Sequence, residues 1–355
     1  MSTNDPNSNP TALFAEGHKL AGCYVLIRQL SAESGAEVWL AQDEVLGKNV
    51  SLHFIPDAVR QDTQALQALR QDIKRDRQLV HPNILRVYDL VEEPDWAAIS
   101  MDASDGESLA AVIERQPHKR LKVAQIQSWI VQLVQTLDDA HKINVLHRDI
   151  APANLLLTPA GKVIVTDFGI SRVVQDALNR AGGGEKPRMA YVSPQLLDGD
   201  AAARTDDVYS LGAVLYALLT GAPPFVGENL GQQIRAGLAP ANVVQALRKE
   251  GLGVPPEWQK IIAGCLEKSP EVRPQSAAEV ARRLATEGVE AAAAGVAPVN
   301  VPIEPARPAP AETPVKKQAE PAPKHAEPAP KHTEASPEVA SKEPESIKSS
   351  AFVPP

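Results

Sequence analysis

Apolar residues follow two different periods along this chain. Between residue 20 and about residue 102 they come in short runs, CYVLI, AEVWLA and NVSLHFI, with a later pair around ILRVYDL and WAAISMD. Runs of this length, rich in Val, Ile and aromatic residues, predict strands. One helix interrupts them from about Thr63 to Leu79, where Leu66, Leu69, Ile73 and Leu79 approximate a 3.6-residue stripe. From Leu109 to about Leu284 the helical period dominates, as in IQSWIVQLVQTLDDAH, where Ile126, Ile130, Leu133, Leu137 and Ala140 share a face. Two short runs break it, NVLHRDIAPANLLL and KVIVTDFGI, each with an acid beside an apolar or aromatic residue in a strand-and-turn setting. A strand-rich part preceding a helix-rich part predicts an α+β chain of two lobes, with a ligand in the cleft between them.

Composition shortens the folded part. After residue 286 the chain turns to Ala, Pro, Glu and Lys, holds 14 of the 31 prolines, and repeats AEPAPKH at 319–325 and 326–332. Such a segment buries too little apolar area to offset chain entropy, so residues 286–355 are expected to be a disordered tail. The tail reads as a spacer, with docking to a Pro-recognising partner as the other option. The net charge of −8 gives no basic excess to attract nucleic acid or anionic lipid. Cys23 and Cys265 are too few for a disulfide framework and have no metal-ligand spacing around them. The start, MSTNDPNSNP, lacks the basic end and apolar centre of a signal peptide, and VYSLGAVLYALL (208–219) is too short to span a bilayer. These features lead to the expectation of a soluble, cytoplasmic protein with no membrane and no nucleic-acid partner.

The stretch HRDIAPANLLL (147–157), followed nine residues later by TDFGISR (166–172), resembles the catalytic and magnesium-binding loops of protein kinases. The likeness continues in the family's order through HPNILRVYD (81–89), DGESL (105–109), YVSPQLLDG (191–199), TDDVYSLGAVLYALLTGAPPF (205–225) and SPEVRP (269–274). It covers about residues 20–285 and is closest to the bacterial eukaryotic-type Ser/Thr protein kinases. The resemblance implies a two-lobed kinase fold: a flexible arm over 1–19, a small β-rich N-lobe over 20–102, a larger helical C-lobe over 103–285, then the tail. It implies ATP and Mg2+ as ligands and a protein substrate or partner. Asp167 and Asn154 would hold the metal, because hard cations prefer oxygen ligands. Asp149 would orient the substrate hydroxyl, and Asp207 would cap the backbone of the catalytic loop. The nucleotide would lie against Val38, Ser51, His53, Met101, Ala103 and Leu156, with Val38 and Leu156 sandwiching the adenine and Asp102 to Ser104 as the interlobe hinge.

The departures from the pattern bear on activity. Where the family has V-A-x-K, this chain has VSLH, so His53 stands in place of the lysine that grips the first two phosphates. An imidazole, with a reference pKa of about 6.5, carries little charge at pH 7. SAESGAEV (31–38) occupies the glycine-loop register, but Ser31, Glu33 and Ala36 replace its glycines. Ala151 replaces the catalytic-loop lysine, and Asp72 falls where the family has the glutamate that pairs with the missing β-strand lysine, which leaves that acid without its cation. Asp76 falls on the helix's apolar stripe. Residues 170–192 contain no threonine and one serine, Ser171. Arg188 stands where a Ser/Thr-specific kinase has the threonine facing the catalytic aspartate, and Gln195 replaces the glutamate partner of Arg273. Three functions remain open: a pseudokinase that binds ATP-Mg with weak or absent phosphoryl transfer, an active Ser/Thr kinase in which another side chain replaces the lysine, and a nucleotide-free interaction scaffold.

Overall fold

The computed structural model describes residues 14–31, 37–180, 186–238, 240–249 and 252–284. The N-terminal part is built on β1 (Lys19–Leu20), β2 (Tyr24–Ser31), β3 (Val38–Asp43) and β4 (Lys48–Phe54), then helices α1 (Asp57–Arg60) and α2 (Thr63–Asp76), then β5 (Val87–Glu92) and β6 (Ala97–Asp102). The strands form one antiparallel sheet in the order β1-β2-β3-β4-β6-β5. Its two faces follow from the period-2 alternation of strands. Val50, Leu52 and Phe54 of β4 join Tyr24, Leu26 and Trp39 in one apolar cluster. Ser51 and His53 therefore point the other way, opposite Met101 and Ile99 of β6, the side on which Leu69 and Ile73 of α2 pack. Burying each of those two side chains contributes about 1.5–3 kcal/mol.

Helix α2 starts where Asp62 accepts a hydrogen bond from the Ala65 amide at 2.9 Å, an N-cap. Its buried face is Ala65, Leu69, Asp72, Ile73 and Asp76, so the stripe read from Leu66 to Leu79 is rotated and ends three residues early. Two carboxylates lie on the inner face.

The C-terminal part contains β7 (Glu107–Ser108), α3 (Leu109–Glu114), α4 (Val123–Lys142), β8 (Leu155–Leu157) and β9 (Val163–Val165), with β7, β8 and β9 in a second small sheet. Beyond it come α5 (Ile170–Arg180), α6 (Lys186–Met189), α7 (Pro194–Asp198), α8 (Arg204–Thr220), α9 (Leu230–Ala236), α10 (Pro240–Leu247) and α11 (Pro256–Cys265). Helix α8 is apolar on most sides and lies at the centre, as an all-round apolar helix must. A Cβ at Gly212 would collide with Cys265, so glycine there allows α8 and α11 to touch. The architecture is the expected two-lobed one, a β-sheet lobe with one long helix and a helical lobe.

Of the segment read as a flexible arm, residues 14–19 are described. Phe14 stacks on Phe54 at 4.1 Å and meets the edge of Trp96, which moves the start of the folded part ahead of residue 20. The first thirteen residues and the tail expected over 286–355 lie outside the described residues, as do Glu33 and Ala36. Among the described residues no helix is long and apolar enough to cross a membrane.

Candidate active site

The loop after α4 is held from below by one buried carboxylate. Asp207, in the first turn of α8, accepts from the amides of His147 at 2.9 Å and Arg148 at 2.8 Å and pairs with His141 Nε2 at 2.7 Å. Burial alone would lift this carboxyl; the His141 hydrogen bond and charge, the His147 charge and the Arg148 amide bring it below its ordinary value. The cap fixes Arg148 in a left-handed conformation, φ 69°. It also sets the direction of the next residue, Asp149.

Asp149 is buried and receives the Asn154 side-chain amide at 2.9 Å, while the same amide group donates to the Asp149 carbonyl at 2.8 Å. Both Asn154 donors being spent inward, its Oδ1 is left as the acceptor for a cation. The Thr166 amide bonds the Asn154 carbonyl at 3.1 Å, which ties Asp167 to the same loop. Asp167 is half-buried at φ 63°, and among the described residues no hydrogen bond or ion pair engages its carboxylate. Burial pushes Asp149 up to about 6, against the pull of Arg188 and the Asn154 hydrogen bond.

These groups border a cleft of about 750 Å³ lined by Val38, Ser51, His53, Met101, Asp102, Ser104, Asn154, Leu156, Thr166 and Asp167. That volume suits a nucleotide-sized ligand. Two expected site residues are absent from its wall. Ala103 is exposed and only its neighbours Asp102 and Ser104 line the cleft, because the chain turns its side chain to solvent there. Asp149 is covered: Arg188 lines the cleft in its place, with its guanidinium 3.6 Å from the Asp149 carboxylate.

His53 is half-buried, and its Nε2 lies 3.2 Å from Ser51 Oγ, whose proton goes to the Asp102 carbonyl at 3.0 Å. Since the hydroxyl donates to the carbonyl, Nε2 must carry the proton in the other bond. Burial pushes the imidazole below its ordinary pKa, with the Asp167 charge opposing, so the ring is neutral at pH 7.

The reading of Asp72 as an acid without a cation is overturned. Its carboxylate pairs with Arg148 at 2.8 Å and with Arg75 one turn along α2. The partner comes from the catalytic loop, far along the chain, where no local spacing could show it. Arg148 reaches α2 across Gly169, where a Cβ would collide with the guanidinium and φ is +68°. Asp76 has no such rescue. Its Oδ2 is buried with no hydrogen-bond partner among the described residues, and burial, then the Asp72 charge, push it up to about 8.

A model of the protein kinase domain family matches residues 24–284 of the chain. The chain belongs to the protein kinase family. It is 31% identical over 217 residues to the serine/threonine-protein kinase PrkC of Bacillus subtilis, covering 60% of this chain and 33% of that one. It is 29% identical over 310 residues to the serine/threonine-protein kinase PknA of Mycobacterium tuberculosis, covering 86% of this chain and 67% of that one. The crystal structure of the Mycobacterium tuberculosis PknI kinase domain superposes with a TM-score of 0.61 at 25% identity, over 77% of this chain and 99% of that one. The chain thus spans about a third of PrkC and two thirds of PknA.

Protein kinases use ATP and Mg2+, and the donor set of this kinase domain fits the metal: the Asp167 carboxylate and Asn154 Oδ1, which has no hydrogen-bond partner among the described residues, would offer hard oxygen ligands from joined loops. When bound, the metal neutralises charge developing on the transferring phosphoryl group. Sequence reasoning missed helix α5, which follows Asp167 directly. Ile170, Val174 and Leu178 lie on its cleft-facing side, and Ile170 and Ala177 join the cluster of Leu69 and Ile73, while Arg180 pairs with Asp62 at 2.6 Å. The signal was present as ISRVVQDALNR, with apolar residues at helical spacing. The expected neutral bond of Gln195 to Arg273 is there at 2.6 Å, and Asp206 adds a charge 3.6 Å from the same guanidinium.

Proposed function

We propose that this kinase domain binds a purine nucleoside triphosphate with Mg2+ weakly and transfers its terminal phosphate to protein hydroxyls slowly or not at all. The observation that carries this reading is the placement of His53, whose Nε2 lies 3.2 Å from Ser51 Oγ at the position from which a lysine would hold the phosphates. Removing one preorganised donor to developing charge typically costs roughly a hundred- to thousandfold in rate, and phosphoryl transfer rests on that kind of positioning and charge. Two further features support it. The guanidinium of Arg188 lies on Asp149, the group that would orient a substrate hydroxyl, and α5 borders the cleft. Asp149, Asn154 and Asp167 take the catalytic roles and Asn154 with Asp167 the metal; Val38, Ser51, Met101 and Leu156 contact the base.

A second reading, an active Ser/Thr kinase, draws on Arg188. It places a positive charge beside Asp149, close to where Ala151 leaves the catalytic loop without one. Melting temperature followed against ATP tests both, since a ligand bound only by the folded state raises it. A magnesium-dependent shift at millimolar ATP is expected, lost with chelator. His53→Lys should tighten binding roughly ten- to hundredfold through a charge-assisted contact. Wild-type phosphate transfer to a generic protein substrate, lost in Asp149→Asn, would establish the second reading. No shift with ATP and Mg2+ would leave an interaction module.

A further inference from the structure

The Ser51 hydroxyl lines the cleft beside the segment Asp102–Ser104. If the innermost hinge group were a bare carbonyl, it would accept from a 6-amino purine and reject a 6-oxo purine, because two acceptors would face each other out of water. Here that carbonyl, of Asp102, is met by a hydroxyl. Ser51 is 4% exposed and its Oγ donates to Asp102 at 3.0 Å while receiving His53 Nε2 at 3.2 Å.

The wiring settles what the hydroxyl can offer. His53 donates into one lone pair of Oγ, so the single Ser51 proton is the group's remaining variable, and it turns about the Cβ–Oγ bond. Left on the Asp102 carbonyl, it leaves that oxygen's second lone pair for a 6-amino group. Turned toward the ligand, it donates to a 6-oxo oxygen and keeps its bond from His53. A second hydroxyl, Thr166, lines the same cleft, and its Oγ1 is buried with no hydrogen-bond partner among the described residues.

We propose that Ser51, held as a donor by His53, makes this cleft accept 6-oxo purine nucleotides of the GTP and ITP class about as well as ATP. This rests on the nucleotide-binding reading above. It gives His53 a task at the base rather than at the phosphates.

Displacement of a fluorescent ATP analogue from the full chain by ATP, GTP and ITP, each with Mg2+, tests it. In the wild type the affinities for ATP and GTP should agree within about threefold, and Ser51→Ala should move the preference at least about tenfold toward ATP. An ATP preference above about thirtyfold in the wild type, or a ratio untouched by Ser51→Ala, overturns the inference while leaving nucleotide binding intact. No displacement of the analogue by any of the three, or no binding of the analogue itself, removes both. The wild-type ratio needs no variant, so a poorly folded Ser51→Ala does not blunt the test.

Discussion

Two helices of this domain each bury a pair of acids, and they treat them oppositely. Asp206 and Asp207 on α8 are 2% and 1% exposed; Asp72 and Asp76 on α2 are both 4% exposed. Burial is therefore equal. On α8 the acids sit in the first turn, where the helix dipole favours negative charge. Asp206 takes the Ser193 hydroxyl at 2.7 Å and the Ala203 amide at 2.8 Å, and Asp207 takes His141 and two loop amides. On α2 the acids sit one turn apart toward the C-terminal end, where the dipole and their mutual repulsion disfavour charge. Arg148 rescues Asp72, and Asp76 is left to hold its proton, with a pKa of about 8. What separates the two pairs is the number of donors the fold brings to each carboxylate.

The largest expected effect lies at the satisfied pair. Asp207→Ala leaves two loop amides and His141 without their acceptor, and denaturant unfolding should show a loss of about 3–5 kcal/mol. A loss below about 1 kcal/mol would mean that the loop is held by something else.

Asp76→Asn should do the reverse, and in a pH-dependent way. Asp76 faces Asp72, Arg75, Arg148 and Asp167, and its folded pKa of about 8 lies above the ordinary value of 3.8. Between those values the folded state binds a proton that the unfolded state has released, so the group's contribution is full below the lower value. It is then lost as pH rises toward the upper one, by up to about 1.4 kcal/mol per pH unit. The asparagine variant lacks this slope and should gain on the wild type by roughly 2–3 kcal/mol between pH 5 and pH 7. Parallel stability curves for the two proteins would show that Asp76 is ionised in the fold.

The smallest effect concerns the rescue. A double-mutant cycle of Asp72→Asn with Arg148→Met should return a coupling of about 1–2 kcal/mol, within the usual range for contacting charges. A coupling near zero would place Asp72 and Asp76 in the same unsatisfied class and remove the contrast within α2.

Much of this was legible from local pattern. The strands of the sheet, the long helix α4 and the apolar helix α8 carry their period on their face, and the loops around Asp149 and Asp167 stand out as strand-and-turn breaks in a helical region. His53 was assigned to the cleft by its likeness to the family's lysine position, and in the fold strand alternation puts it on that side, away from Leu52 and Phe54 in the core. Helix α5 was less legible, because its 11 residues carry only a short apolar stripe that gains its meaning by packing against α2. Ala103 was placed by its position in the hinge, which concerns backbone, while the side chain turns outward.

By itself the sequence determined the two-lobed kinase fold and, through its likeness to the kinase motifs, set Asn154 and Asp167 as candidate oxygen ligands and His53 in the place of a lysine, since that likeness rests on residue types at fixed spacings. Only the tertiary structure decided which charges meet: Arg148 with Asp72, Arg188 with Asp149, and, among the described residues, no donor for Asp76 Oδ2. A hydrogen bond or contact ion pair needs its partners within about 3–4 Å, and residues that close can be any distance apart along the chain.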